Sequence, residues 1–329
     1  MPAVALSNAK VFHCSSEQTL LEAARAQGLA LEHSCRTGRC GACKAQVLDG
    51  VTSATKDEES LTEDERTAGF ILTCCRTAVT DVQLDIEDLG DLANIETRTH
   101  PCRIDSLMLL TDDVIEVTLR TPPTSRLVYL PGQYIDVIGK DGLRRSYSVA
   151  NAPRDDGRIT LQIRKVPNGE MSRYWFDEAK ANDLLRLEGP LGTFCLRPSQ
   201  ASQLVLLATG TGIAPIRALL EQLATNSSLN TYRQIHVYWG GRTEKDLYWT
   251  PEYPTLSFRF VRVLSRSTDS AGSTRGYVQD AALADGIPLQ DAVVYACGSE
   301  SMIGSARHKL IASGLDPKHF HSDAFVSSN

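Results

Sequence analysis

Five of the nine cysteines set the strongest constraint on this 329-residue chain. Cys35, Cys40 and Cys43 stand within nine positions, in "SCRTGRCGACK", with the spacing C-x4-C-x2-C. Thirty residues then intervene before the adjacent pair Cys74 and Cys75. Such a loop is a metal site, a disulfide staple or a reactive thiol site. The first twenty residues carry neither a basic start nor a continuous apolar stretch, so no export signal is expected there. No run approaches the ~18 apolar residues of a membrane helix. A cytoplasmic location follows as the expectation, and thiols there stay reduced, which favours metal or redox chemistry over a disulfide framework.

Thiolates are soft ligands, and a negatively charged cluster needs a chain that wraps closely round it. Gly38 and Gly41 permit positive-φ turns that bring backbone N–H groups toward sulfur. Arg36, Arg39 and Lys44 either offset the cluster's charge or point to solvent. Four thiolates at this spacing match a [2Fe–2S] site. Zinc is the alternative, because C-x2-C is half of many zinc sites, although an adjacent pair completes such a site poorly. Residues 1–90 resemble a plant-type ferredoxin domain, in which the fourth ligand follows Leu-Thr. That resemblance implies Cys35, Cys40, Cys43 and Cys74 as ligands. If "ILTCC" is a strand, alternation turns Cys75 to the other face. Cys75, Cys14, Cys102 and Cys195 then read as small buried hydrophobes.

Charge is uneven. Residues 1–90 carry fourteen acidic and eight Lys/Arg residues, which accounts for the whole formal charge of −6. This is a solvated acidic face or a surface that meets a basic partner. Nucleic acid is a poor ligand for it. The expected architecture is multidomain, α+β and α/β. A small β-grasp ferredoxin-like domain spans 1–90, with capping boxes at Thr19/Glu22 and Ser60/Glu63. "LGDLANIETRTHPC" follows as a linker. Residues 98–199 read as an antiparallel β-barrel of short strands separated by turns such as "PG", "KDG" and "DDG", with one helix at "MSRYWFDEA". Residues 200–329 alternate strand and helix, as a parallel α/β sheet does.

"RRSYSVAN" contains R-x-Y-S at Arg145, Tyr147 and Ser148, and "IRKVPNGEMS" and "GPLGTF" follow in order. "ATGTGIAP" joins a buried strand to a helix, where Gly210 and Gly212 allow close backbone approach to a phosphate. Together these motifs resemble the ferredoxin–NADP reductase superfamily over residues 102–329, with Thr209 where glycine is usual. The resemblance implies an FAD whose isoalloxazine packs on Tyr147, whose N5 lies near Ser148 and whose phosphate pairs with Arg145. It further implies flavin contacts at Ile163 and Lys165, and a helix opened by Gly169, Met171 and Ser172 that faces the pyrophosphate. The nicotinamide coenzyme falls to Gly210, Thr211, Gly212 and Pro215, then to Arg242 and Tyr248, and finally to Cys297 and Gly298. Arg242 pairs with a 2′-phosphate or covers adenine. NADH is expected over NADPH because no second basic residue adjoins Arg242, Lys245 being the nearest. Cys297 borders the nicotinamide or is a buried strand cysteine. Phe325, in "SDAFVSSN", shields the flavin. Ser148, Cys297 and Phe325 are the implied catalytic residues.

The implied function is an NADH-dependent reductase that passes electrons through FAD and [2Fe–2S] to a partner protein docking near the cluster. "RTPPT", "IHVYWG" and "VYACGS" resemble the CDP-6-deoxy-Δ3,4-glucoseen reductase family. Its partner is a pyridoxamine-phosphate-dependent CDP-6-deoxyhexulose 3-dehydrase of 3,6-dideoxyhexose synthesis. The alternative is the reductase of an aromatic-ring or other multicomponent oxygenase.

Overall fold

The apolar alternation of "AVALSNAKVFHC" folds as a hairpin, β1 (Ala3–Leu6) and β2 (Val11–His13), in the computed structural model. The structure describes residues 1–139, 142–266 and 272–325. Residues 1–96 form one compact unit and 97–325 another. In the first, Thr19 and Glu22 form a capping box that starts α1 (Leu20–Ala26), and α1 buries Leu20, Leu21, Ala23 and Ala24. There follow β3 (Lys44–Asp49), β4 (Thr52–Ala54), α2 (Glu63–Thr67), β5 (Phe70–Leu72), β6 (Arg76–Ala78) and β7 (Val82–Leu84). The main sheet has the order β2-β1-β7-β3-β5, with β1 parallel to β7, and β4 pairs with β6 apart from it. This is a β-grasp arrangement.

The first unit departs from its sequence pattern in two places. The capping box of α2 is Thr62 with Glu65, not Ser60 with Glu63, so the helix starts two residues later. "ILTCC" is also not one strand. β5 stops at Leu72, and Cys75 N–H closes a turn on Leu72 C=O at 2.9 Å before β6 begins. Strand alternation therefore cannot orient Cys74 and Cys75.

In the second unit β8 (Arg98–Thr111) begins inside the stretch read as linker, because His100, Cys102 and Ile104 alternate inward. With β9 (Val114–Arg120), β10 (Tyr134–Ile138), β11 (Arg144–Ser148), β12 (Arg158–Arg164) and β13 (Leu184–Leu191) it makes an antiparallel sheet of order β11-β10-β13-β8-β9-β12. A bridge between Val149 and Leu161 joins its two edges and closes the barrel. Lys140 and Asp141 of the "KDG" turn lie outside the described residues. "MSRYWFDEA" folds as a four-residue helix, α3 (Glu170–Arg173), continued by a π-helical turn over Tyr174–Glu178.

The remaining strands are β14 (Gln203–Thr209), β15 (Gln234–Gly241), β16 (Arg259–Leu264), β17 (Ser273–Arg275), β18 (Ala292–Ser299) and β19 (Phe320–Phe325). They form a parallel sheet of order β17-β16-β15-β14-β18-β19, covered by α4 (Ile213–Thr225), α5 (Val278–Ala284) and α6 (Glu300–Ala312). The strand order reverses between β14 and β18, so a crevice opens beyond their carboxyl ends. β17, α5 and β19 carry weak periodicity and were not expected. "SDAF" belongs to β19, and residues 326–329 lie outside the described residues.

Candidate functional site

The cysteine loop doubles back through left-handed residues at Arg36 (φ 60°), Gly38 (φ 82°) and Gly41 (φ 72°). A Cβ on Gly38 would lie 2.2 Å from Asp57 C=O and 2.9 Å from Cys75 Sγ, so only glycine fits. The thiols gather in two pairs. Cys40 hydrogen-bonds Cys35 and holds its thiol down to about 4, while Cys43 Sγ stands 3.2 Å from Cys74 Sγ and lowers that thiol to about 7. Thr37 N–H and Cys35 N–H donate to Cys35 Sγ and Cys40 Sγ, both at 3.4 Å. Among the described residues, no three His, Cys, Asp or Glu side chains converge as the ligands of one ion. Two thiol pairs suit two irons, so this donor set fits [2Fe–2S].

Cys75 does not turn away: its sulfur is 3.5 Å from that of Cys74 and 3.4 Å from Asp57 C=O, and burial pushes its thiol up to about 12. Cys14, Cys102 and Cys195 are buried. Arg39 pairs with Glu59 at 3.4 Å and Lys44 with Glu65, so those two cations are neutralised by carboxylates rather than free to offset a cluster. Sequence inspection also missed Glu58. Its buried carboxylate takes Leu72 N–H at 2.7 Å and Arg76 Nε at 2.9 Å, and pairs with Arg66 Nη1 at 3.4 Å. It ties the loop 55–61 to the turn that carries Cys74.

On the barrel, β11 presents Arg145, Tyr147 and Ser148. Arg145 donates to Arg144 C=O at 2.7 Å and has no carboxylate partner among the described residues. Trp175, a second missed residue, donates from Nε1 to Tyr147 Oη at 3.0 Å, and burial pushes that phenol up to about 12. Ser148 Oγ donates to Asp323 Oδ2 of β19 at 3.5 Å, which brings the strand ending in Phe325 to the flavin motif. Phe325 itself is 38% exposed. Ile163 and Met171 lie in the barrel core rather than on a surface. Lys165 sits over the Phe176 ring at 5.2 Å. Ser172 Oγ accepts Val166 N–H at 2.9 Å beside Gly169, which fixes the turn before α3.

At the crossover the two glycines have different tasks. A Cβ on Gly212 would lie 2.3 Å from Cys297 C=O, so Gly212 lets the β14 turn pass against β18. Gly210 instead faces the Arg164 guanidinium carbon, 3.8 Å from its Cβ position. Arg164 is a missed residue, set on β12 and braced by Asp246 at 3.4 Å and Asp113 at 3.5 Å. Thr209, the departure from the usual glycine, accepts Ser299 N–H on Oγ1 at 3.2 Å and occupies the space that Gly298 (φ 141°) leaves. Thr211 is half-buried at the turn, and Pro215 is buried in the first turn of α4. Cys297 is fully buried, and burial followed by the charge of Asp323 pushes its thiol well up, so no part of it faces open space.

Asp246, also missed, accepts Arg242 N–H at 3.1 Å and Thr243 N–H at 2.8 Å and shapes the turn after β15. Burial alone would raise its carboxyl, but the bonds from Thr243 hold it below the ordinary range. Tyr248 Oη donates to Gln162 at 3.2 Å, and its ring meets Trp239 edge-on at 5.1 Å. Arg266 N–H donates to Arg242 C=O at 2.9 Å, so the backbone that follows β16 runs beside Arg242, a proximity that the linear sequence conceals.

Three family models match in order: a 2Fe-2S iron-sulfur cluster binding domain over residues 6–80, an oxidoreductase FAD-binding domain over 101–195 and an oxidoreductase NAD-binding domain over 206–308. The chain is 40% identical to the CDP-6-deoxy-L-threo-D-glycero-4-hexulose-3-dehydrase reductase of Yersinia pestis, over 97% of this chain and 96% of that one. It is 33% identical to reductase component 1 of terephthalate 1,2-dioxygenase from Comamonas, over 96% and 95%. Among solved structures, an Amycolatopsis cytochrome P450 reductase superposes with a TM-score of 0.73 at 29% identity, covering 99% of each chain.

Proposed function

This chain belongs to the iron–sulfur flavoprotein reductases, in which a [2Fe–2S] domain is fused to FAD- and NAD-binding domains, and from that premise we propose that its electrons go to a CDP-6-deoxyhexulose 3-dehydrase. That it is an NAD(P)H-dependent reductase serving a partner protein follows from the family. The choice of partner is supported by one observation, the 40% identity to the dehydrase reductase over nearly the whole of both chains, against 33% to the terephthalate reductase.

When bound, the coenzyme supplies a hydride, FAD accepts the electron pair, and [2Fe–2S] passes electrons singly to the partner. The residues divide the remaining work. Cys35 with Cys40, and Cys43 with Cys74, hold the cluster. Arg145, without an acidic partner among the described residues, is placed to take a flavin phosphate, and Tyr147 is held by Trp175 to offer its ring to the isoalloxazine. Ser148 and Asp323 set a hydrogen-bonded pair where β19 delivers Phe325. Gly210 and Arg164 form the cradle for the coenzyme's pyrophosphate, and Arg242 with Tyr248 faces its adenosine end. NADH is the proposed donor. No second basic residue adjoins Arg242 in the sequence, Lys245 being the nearest, which favours a coenzyme without a 2′-phosphate. The proposed folding units are residues 1–90, 98–199 and 200–329.

Anaerobic reconstitution with NADH tests the partner. Steady NADH oxidation and sugar deoxygenation are expected with the dehydrase and its CDP-sugar. Turnover with a terephthalate-type oxygenase component and none with the dehydrase would overturn the assignment in favour of the oxygenase alternative.

A further inference from the structure

Ser60 has no partner for its hydroxyl among the described residues: Oγ is closed off from solvent and makes no hydrogen bond to any of them. The oxygen is turned toward the cysteine loop, 3.3 Å from where a Cβ on Gly41 would lie, between Cys40 and Cys43. Its backbone is fastened to that loop as well, since Ser60 N–H donates to Gly38 C=O at 3.1 Å. The segment is not free to drift. Leu61 N–H donates to Glu58 C=O at 3.2 Å, and the buried Glu58 carboxylate is locked by Arg76 and Leu72 N–H. Nor is the hydroxyl needed for the neighbouring helix, because Thr62 is the N-cap of α2.

A buried hydroxyl without a partner is unfavourable, and native proteins retain few of them unless a bound group or ordered water completes the bond. We propose that Ser60 donates its hydroxyl hydrogen to a sulfur of the [2Fe–2S] cluster and so raises the cluster's reduction potential. The inference rests on the assignment of Cys35, Cys40, Cys43 and Cys74 as ligands. Reduction adds negative charge to the cluster, and a hydrogen bond to sulfur is stronger in the more negative state. Ser60 thus adjusts the driving force for electron delivery without being a ligand.

The test uses the full-length reductase with FAD and cluster in place. The midpoint potential is read by EPR-monitored titration, and exchangeable protons near the reduced cluster by pulsed EPR in H2O and D2O. Ser60→Ala should shift the potential to a more negative value and abolish one exchangeable-proton coupling, while Ser60→Thr, which keeps the hydroxyl, should retain both wild-type values. An unchanged potential and an unchanged set of couplings in Ser60→Ala would overturn the proposal. Should Ser60→Ala assemble no cluster, Ser60→Thr decides: wild-type potential and couplings support the hydroxyl role, and loss of the coupling defeats it. Failure of the ligand assignment would be visible separately, as cluster absorption that survives replacement of the four cysteines.

Discussion

The cysteine loop and the nucleotide crossover both depend on glycine, for opposite reasons. Gly38 is a local requirement. Its φ of 82° lets a short loop fold back over thiols that are close in sequence, and the Asp57 carbonyl, 19 residues on, then closes in to 2.2 Å from its Cβ position. Gly212 is a global requirement, imposed by a strand 85 residues further along, whose Cys297 carbonyl lies 2.3 Å from its Cβ position. The loop is built by the chain's own turn chemistry, the crossover by sheet packing. Gly212→Ala should therefore destabilise residues 97–325 by roughly 3 kcal/mol or more, as a backbone collision in a packed core does. It should also abolish NADH oxidation with every acceptor. Gly38→Ala should remove cluster absorption and leave NADH-dependent reduction of a flavin-level acceptor intact. Urea titration and visible spectra distinguish the two. Equal damage to both activities by Gly38→Ala would break the contrast.

The next largest effect sharpens the loop side. Cys74→Ser should lose the cluster and keep NADH-to-FAD reduction, whereas Cys75→Ser should keep both, with at most a modest spectral shift. The two sulfurs are only 3.5 Å apart, so the contrast is demanding. Cluster content in Cys74→Ser equal to wild type would transfer the ligand role to Cys75.

On the crossover side, Arg164→Ala should raise the KM for NADH about tenfold, the ~1.5 kcal/mol of one charge-assisted hydrogen bond, with kcat nearly unchanged. The guanidinium is braced by Asp113 and Asp246 and needs no reorganisation to meet an anion. Steady-state kinetics with an uncharged quinone as acceptor decides the point. An unchanged KM would leave Arg164 as a structural brace between barrel and parallel sheet.

The same contrast explains how much was legible beforehand. Side-chain spacing shows Cys35, Cys40 and Cys43 directly, since turn and ligands belong to one short segment. It misplaced the helix cap from Thr62 to Ser60 because both serine and threonine stand three residues before a glutamate. It could not orient Cys75, because the turn at 73–75 interrupts what composition presents as a continuous apolar run. At the crossover, "TGTGIAP" marks the turn, yet Arg164 reaches it from β12, braced by Asp246 of the turn after β15. Their roles exist only once β14 and β15 lie side by side. Cys297 was legible as a strand cysteine, but its complete burial depends on strands on both sides of it.

The smallest expected effect concerns charge. Residues 1–90 hold the entire net charge of −6, and Arg39 and Lys44 of the cysteine loop are paired with Glu59 and Glu65. A field of that sign speeds encounter with a basic partner surface and is screened over about 8 Å at physiological ionic strength. Raising salt from 50 to 500 mM (about 14 to about 4 Å of screening length) should lower kcat/KM for the protein partner a few-fold. The change should fall on association rather than on kcat. Measured at saturating NADH with an uncharged quinone in place of the partner, turnover should not respond to salt, because that electron path bypasses the acidic unit. A salt response of equal size in both assays would place the sensitive step at the nucleotide crossover instead, where Arg164 and Arg242 are proposed to meet an anionic coenzyme.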